Sequence, residues 1–415
     1  MYYFFIWRIV DTVIAYISSI LIPYLGFFPY KEIFMDYKLS SFISSFANFD
    51  GAQYLIIIRE GYNNLTQAYF PLYPLLVRFI SPIFVSNHLL AGLLLSNLCF
   101  LIGLFFFWKY LIILTGRDSL RRNDNKASNV NNSTILFLLL FPTSFFFGAL
   151  YTEGLFFLLT ALVLWGLKNK KYWLVVISGL LAALTRFIGV FLIIPIGFHL
   201  ISESQKSKVK SQNYKLKVKN INNAHISQVS NFKFQILNLL PLLTPILGLL
   251  TYTTYLWKTT GDPLFFFNTQ PVFGANRSTH LIFLPQVYYR YFKIFLTATP
   301  NFQYLISMFE FIIFNFCLII LIISLVDSWR KFKGKGFRLW LSISNGLLLF
   351  SFINLLLPTL TGTFSSIPRY VLMSLSVFIY LGNIKKSWVK IIIGCFFGIL
   401  HILCLGFFIQ GYFVG

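Results

Sequence analysis

Acidic side chains are scarce in this chain, with 12 Asp and Glu against 34 Lys and Arg in 415 residues that are 57% apolar. Cysteine and histidine are few as well, at 4 and 5. Cys99, Cys317, Cys395 and Cys404 all fall inside apolar runs without metal or redox spacing, which makes them packing residues. The histidines are scattered, so no metal site is visible and no cofactor is implied. Strand-type alternation is missing, which argues against a membrane barrel. No internal repeat of the kind left by inverted transporter halves is present.

Apolar and aromatic residues are abundant. Mean hydropathy is +0.74 and 20% of the residues are Phe, Tyr or Trp, more apolar surface than a soluble domain of this length can hide. Many runs approach the ~20 residues that cross ~30 Å of hydrocarbon. The expected fold is an all-α polytopic membrane protein, one integral domain over 1–415. The first run, Tyr2 to Phe28, is too long for a signal-peptide core and lacks a small-residue cleavage site, so it reads as retained. The net charge of +22 sits in short loops between apolar runs. That is the pattern of membrane topology, not of nucleic-acid binding.

Eleven spans are expected, near 5–28, 88–113, 134–150, 154–168, 172–187, 188–201, 236–257, 303–326, 339–357, 369–383 and 389–411. Pro142 and Pro195 mark broken or tilted helices. The run 68–84, interrupted by Pro71, Pro74 and Pro82, reads as a short interfacial or re-entrant helix pair. With this assignment the basic clusters fall on one side: Arg117 to Lys126, Lys168 to Lys171, Lys206 to Lys233, Arg330 to Arg338 and Lys385 to Lys390. The positive-inside rule makes that side cytoplasmic. The other side receives a first outer loop over 29–87 with short interfacial helices, and a second over 258–302. The polar segment 202–233 reads as a flexible basic cytoplasmic loop. Acids outside the basic loops gather on the outer side: Glu32, Asp36, Asp50, Glu60, Glu153 and Asp262.

Four outer segments carry the chemistry. Phe49-Asp50-Gly51-Ala52-Gln53-Tyr54-Leu55 follows the first span. Gln67-Ala68-Tyr69-Phe70-Pro71-Leu72-Tyr73-Pro74 comes next, with Arg78. Phe141-Pro142-Thr143-Ser144 runs through Tyr151-Thr152-Glu153-Gly154, with Arg186 in the following outer turn. Ser365-Ser366-Ile367-Pro368-Arg369-Tyr370 is the fourth. In that order they resemble the GPI mannosyltransferase 2 family, which adds the second mannose to glycosylphosphatidylinositol, and its prokaryotic relatives. The resemblance runs from about residue 45 to 375. It implies a GT-C-like helical bundle, a polyprenyl-phosphate sugar donor and an acidic residue in the first outer loop. Phe49 stands where the family usually has Trp, and Gln53 where an imidazole or indole is common.

The residues argue for similar chemistry without the name. An acceptor hydroxyl attacking a sugar carbon must lose its proton, and a carboxylate within reach supplies ~10²–10⁴-fold in rate. Asp50, just beyond the first span, is the candidate base; an N-cap role at Gly51 or Ala52 is the bland alternative. Direct displacement needs a single base and inverts the anomeric centre. The phosphate leaving group needs cationic stabilisation, for which Arg186, Arg369 and Arg78 are the candidates. Glu153 either orients substrate or holds an arginine such as Arg186. Gln53, Tyr54, Tyr69, Tyr73 and Gln270 are the candidate substrate contacts; the tyrosines also fit an interfacial aromatic belt. Gln270 and Arg277 fall on the acceptor side.

The expected function is inverting transfer of a hexose, mannose by resemblance, from a polyprenyl-phosphate donor to a glycolipid or glycan hydroxyl among membrane lipids. The site would face away from the cytoplasm, at the plasma membrane of a prokaryote or the endoplasmic reticulum of a eukaryote. The alternatives are a lipid-carrier flippase or small-molecule transporter built on the in-span acids Asp11 and Glu310, and a sibling enzyme using another sugar.

Overall fold

The computed structural model describes residues 2–25, 31–63, 65–119, 124–217, 227–274, 277–332 and 340–414. Every regular element among them is helical. The principal helices are α1 (Tyr2–Leu21), α2 (Asp50–Glu60), α3 (Leu72–Ile80), α4 (His88–Ser119), α5 (Asp124–Leu140), α6 (Glu153–Lys168) and α7 (Tyr172–Thr185). They continue as α8 (Ile193–Lys217), α9 (Ser227–Thr260), α10 (Leu284–Thr297), α11 (Phe302–Phe332), α12 (Ile343–Leu356), α13 (Leu375–Gly382) and α14 (Ser387–Ile409).

Among the described residues, seven segments are long and apolar enough to cross a membrane: Tyr2–Leu21, His88–Gly116, Phe187–Gln205, Leu239–Thr260, Phe302–Lys331, Ile343–Thr361 and Ser387–Ile409. The other four expected spans take different forms. Two are the 16-residue α6 and the 14-residue α7. The span expected at 134–150 stops at Leu140, because Pro142 cannot continue a helical ladder. The chain then runs from Phe141 to Thr152 as wholly buried irregular backbone around a short 3₁₀ turn, Ser144–Phe147. Turn hydrogen bonds engage the amides of Ser144, Phe146, Gly148, Ala149 and Tyr151, and Leu150 N donates to Phe46 O at 3.1 Å. Such backbone is tolerated at depth only when buried in protein. The span expected at 369–383 is likewise split into Ile367–Tyr370, Val371–Met373 and α13, all packed in the core. Pro195 sits in the first turn of α8, where its missing N–H costs nothing.

The segment 68–84 forms a short apolar helical stretch, Leu72–Phe84. The expected loop 202–233 is entered by helix from both sides, to Lys217 and from Ser227, so its flanks are not loop. Residues 218–226 lie outside the described residues, as do Arg121, Arg122, Lys333, Lys335 and Arg338.

α4 and α6 pack along most of their length, α6 turns into α7, and α7 lies on α9. α8 packs on α12, α13 on α5, and α14 closes the bundle against α1. An all-buried polar bridge ties that closure together. His401 Nε2 lies 2.7 Å from Asp11 Oδ1, and His401 Nδ1 lies 3.2 Å from Ser144 Oγ. Trp7 Nε1 also donates to Ser144 Oγ, at 3.2 Å. Each group thereby answers another's hydrogen-bonding need away from water.

Candidate functional site

Four chain segments bring their polar ends to one place. α2 begins at Asp50, α6 begins at Glu153, α7 ends just before Arg186, and the turn Ile367–Tyr370 carries Arg369. Both acids occupy the first turn of a helix, where the dipole favours negative charge.

Backbone geometry around these residues is forced. Phe49, immediately before Asp50, has φ +60, and Ser366, before the Arg369 turn, has φ +65. Neither is glycine, and non-glycine residues hold such angles only where surroundings impose them. Around Asp50 those surroundings include α14: Asn48 Nδ2 donates to the carbonyls of Phe408 and Ile409 at 2.8 and 3.2 Å. Tyr151 OH donates to Asn48 O at 2.7 Å. The Ser365–Tyr370 segment is pinned from three sides. Ser366 N donates to Glu310 Oε1 at 3.0 Å, Thr143 Oγ1 to Pro368 O at 2.7 Å, and Asn354 Nδ2 to Tyr370 O at 2.6 Å. Gly154 allows the first turn of α6 to press on α4. A Cβ there would lie 2.5 Å from Ser96 O and 2.7 Å from Phe147 O, so only glycine seats Glu153 this deeply.

The four charged side chains form a continuous chain. Arg369 Nη1 donates to Asp50 Oδ2 at 2.6 Å. Arg369 Nε lies 3.7 Å from Glu153 Oε1, which Arg186 Nη1 reaches at 2.5 Å. Tyr69 OH donates to Asp50 Oδ1 at 3.1 Å. The carboxylate of Asp50 therefore faces Tyr69 and Arg369, not the helix amides that an N-cap would engage. The side chain of Asp50 is 31% exposed, against 2% for Glu153, 14% for Arg186 and 9% for Arg369. Asp50 is thus the more open of the two acids, and Glu153 the acid that holds two arginines. Glu153 Oε2 and Arg369 Nε are buried with no hydrogen-bond partner in the protein, which leaves each with unused capacity at the site.

The electrostatics follow from this arrangement. Burial pushes the Asp50 carboxyl upward, but Arg369, then Arg277 and the Tyr69 hydroxyl, outweigh it and hold it below the ordinary value of 3.8. Burial pulls the Arg369 guanidinium down, and Asp50 chiefly overcomes that to keep it charged. Burial raises Tyr54, Tyr69 and Tyr151, and Asp50 adds to the effect. Tyr370 is the exception. Burial would raise it too, yet Arg277, Arg369 and Arg186 together bring it below its ordinary value.

Aromatic rings line the cluster. Tyr54 meets Tyr69 edge-on with centroids 5.1 Å apart, and the Arg186 and Arg369 guanidinia each lie 5.5 Å from the Tyr370 ring centroid. Gln53 is half-buried on α2. Gln270 accepts from Arg277 Nη1 at 3.1 Å, and Arg277 acts electrostatically on Asp50. Two candidates are not brought in. Tyr73 is wholly buried and donates to Gly92 O at 3.1 Å beside Ser96 Oγ, so it pins α3 to α4 and cannot stack on a sugar. Arg78 is exposed on α3, with His88 as its electrostatic neighbour, apart from the cluster. Asp36 pairs with Arg59 at 3.0 Å on the surface, and Asp262 caps its own loop at Leu264 N and Asn268 Nδ2. Sequence reasoning undervalued Arg277 and, though it singled out the segment holding Tyr370, gave that tyrosine no role. The tyrosine's adjacency to Arg369 was the available signal.

The four charges oppose one another in pairs, and the match to known sequences gives the family. The mannosyltransferase (PIG-V) family model matches residues 5–266. The chain belongs to that family. No curated protein and no solved structure matches it. As a PIG-V-family mannosyltransferase it transfers mannose, and the matched stretch contains Asp50, Glu153 and Arg186. Arg277 and Arg369 lie beyond its end and enter the site through the fold. Among the described residues no set of three His, Cys, Asp or Glu gathers as metal ligands would.

Proposed function

We propose that this mannosyltransferase takes mannose from a polyprenyl-phosphate donor and places it, with inversion, on a hydroxyl of a glycolipid or glycan at the non-cytoplasmic membrane face. The observation that carries this reading is the Asp50–Arg369–Glu153–Arg186 chain, with Asp50 its open end. The acceptor oxygen attacks the sugar C1 while Asp50 takes its proton. The bond from C1 to the phosphate oxygen breaks, and its electron pair stays on the phosphate. One base and one displacement leave the anomeric centre inverted. Arg369 keeps Asp50 ionised, and together with Arg186 it gives the phosphate side of the site its positive character. Tyr69 and Glu153 fix the orientation of Asp50 and Arg369. Tyr54, Gln53 and Gln270 are the proposed substrate contacts around them.

The face is supported by the α6–α7 hairpin. Glu153 and Arg186 stand at its open end, while Lys168, Lys170 and Lys171 form its turn. Sixteen helical residues place those lysines about 24 Å away, on the side that basic residues favour in the cytoplasm. The transport alternative would draw on Asp11 and Glu310. Both are closed into internal hydrogen bonds, to His401 and to Ser366 and Tyr291. The test is purified protein in lipid nanodiscs supplied with labelled polyprenyl-phosphate mannose and a glycolipid acceptor. Labelled product of inverted anomeric configuration is expected. Retained configuration, or no use of a lipid-phosphate donor, would overturn the proposal.

A further inference from the structure

Charge at the site does not balance. Asp50 is paired with Arg369, and Glu153 with Arg186 and Arg369. These two acids and two arginines sum to zero. Arg277 is a third guanidinium within electrostatic reach of both Asp50 and Tyr370. Its hydrogen bonds go to neutral groups, Gln270 Oε1 at 3.1 Å and Ser366 Oγ at 3.4 Å. Among the described residues it forms no ion pair with a carboxylate. Glu310 also feels its charge, but Ser366 stands between them, with its N–H on Glu310 and its Oγ facing Arg277. Both Glu310 oxygens are already taken, by Ser366 N and by Tyr291 OH at 3.1 Å.

A guanidinium carries five N–H donors, and the two neutral contacts leave most of them unspent. Arg277 is half-buried, so it is partly desolvated yet approachable. The lowered acidity range of Tyr370 reports the same excess of positive field from a neighbouring hydroxyl. An anion is the missing counter-charge.

We infer that Arg277 holds the phosphate of the lipid-linked sugar donor. The inference rests on the proposed donor class and adds the residue that grips it. As the bond from C1 to phosphate oxygen breaks, that phosphate gains the electron pair and its charge grows by one. A cation with no carboxylate of its own favours this change more than Arg186 or Arg369, whose charge is already answered. Gln270 and Ser366 then act as the brackets that aim Arg277.

The experiment compares wild-type full-length protein with Arg277→Gln and Arg277→Lys in nanodiscs, and Arg59→Gln serves as a surface-arginine control. The readouts are kcat and KM for polyprenyl-phosphate mannose, the inhibition constant of polyprenyl phosphate, and the thermal midpoint. Loss of a charge-assisted hydrogen bond predicts a roughly ten- to hundredfold weaker inhibition constant and a higher donor KM in Arg277→Gln. The thermal midpoint should be unchanged. Arg277→Lys should lie between, because it keeps the charge and loses the fork; it decides the matter if the glutamine variant does not fold. Transfer by the wild type, with polyprenyl phosphate inhibiting both variants within about threefold of it, overturns the inference and leaves the donor proposal standing. A wild type that ignores this donor overturns the donor proposal itself, and the inference with it.

Discussion

Replacing Asp50 with Asn separates catalysis from architecture. The amide keeps the size of the side chain, and its oxygen can still accept from Tyr69 or from Arg369, now 3.1 and 2.6 Å from the carboxylate. What disappears is the ability to accept a proton at neutral pH. Loss of a positioned general base predicts a fall in kcat of ~10²–10⁴-fold, which is about 3–5 kcal/mol in the barrier. The structural cost is smaller. Breaking a fully buried pair costs about 3–5 kcal/mol, but Asp50 is 31% exposed and Glu153 still lies 3.7 Å from Arg369. Screening and this second acid reduce the expected loss to about 1 kcal/mol. Steady-state transfer of labelled mannose should therefore collapse, with donor KM nearly constant and the thermal midpoint barely moved. An Asp50→Asn enzyme that keeps more than about a tenth of wild-type kcat would remove Asp50 as the base.

The acid limb of the rate should respond to Arg369. As the proposed base, Asp50 must be deprotonated, so rate should rise with pH through its pKa. Arg369 offsets burial and keeps that pKa below 3.8, and kcat should stay flat as pH falls from neutral to about 5. The same sign governs stability: Asp50's contribution is complete above the ordinary carboxylate value and is lost as pH falls through the lower folded one. In Arg369→Gln, burial acts without its main counterweight, and the acid limb of the residual rate should move to higher pH; a limb that stays in place refutes the coupling. Glu153→Gln should lower both kcat and unfolding free energy, the latter by about 3 kcal/mol, measured by denaturant-induced unfolding; an unchanged fold stability would show that the pair is not structural. Gly154→Ala should cost about 1–3 kcal/mol through contact with Ser96 O and reduce kcat by shifting Glu153. Glu310→Ala should reduce transfer by releasing Ser366 N and with it the Arg369 turn, whereas Glu310→Gln should restore most of it.

The membrane class and most helix positions were legible because hydrocarbon-length apolar runs leave no other option. Asp50, Glu153, Arg186 and Arg369 were legible as candidates because charge is rare in the outer segments. Glu153 holding Arg186 was one of the two readings offered, but the pairing of Asp50 with Arg369 was not legible, since they are 319 positions apart and no spacing rule covers such a distance. Pro142 signalled a broken helix, but hydropathy cannot separate a lipid-facing span from buried irregular backbone such as Phe141–Thr152. Tyr73 misled for a similar reason. A tyrosine beside prolines looks interfacial, and only packing revealed its hydroxyl on Gly92 O and Ser96 Oγ. Arg277 was expected on the acceptor side and undervalued, because an arginine in a polar loop is ordinary until the other arginines of the cluster prove to be paired with acids.

Asn48 fastens the approach to Asp50 onto carbonyls at the far end of α14, 360 and 361 positions away. During synthesis the ribosome delivers the acid early, the Arg369 turn much later and this fastening last. A nascent chain carrying all the helices through α13 therefore holds every reactive group without the clasp that aims the first of them. Cutting that clasp with Asn48→Ala should therefore leave each charged group of the site present but Asp50 less firmly aimed.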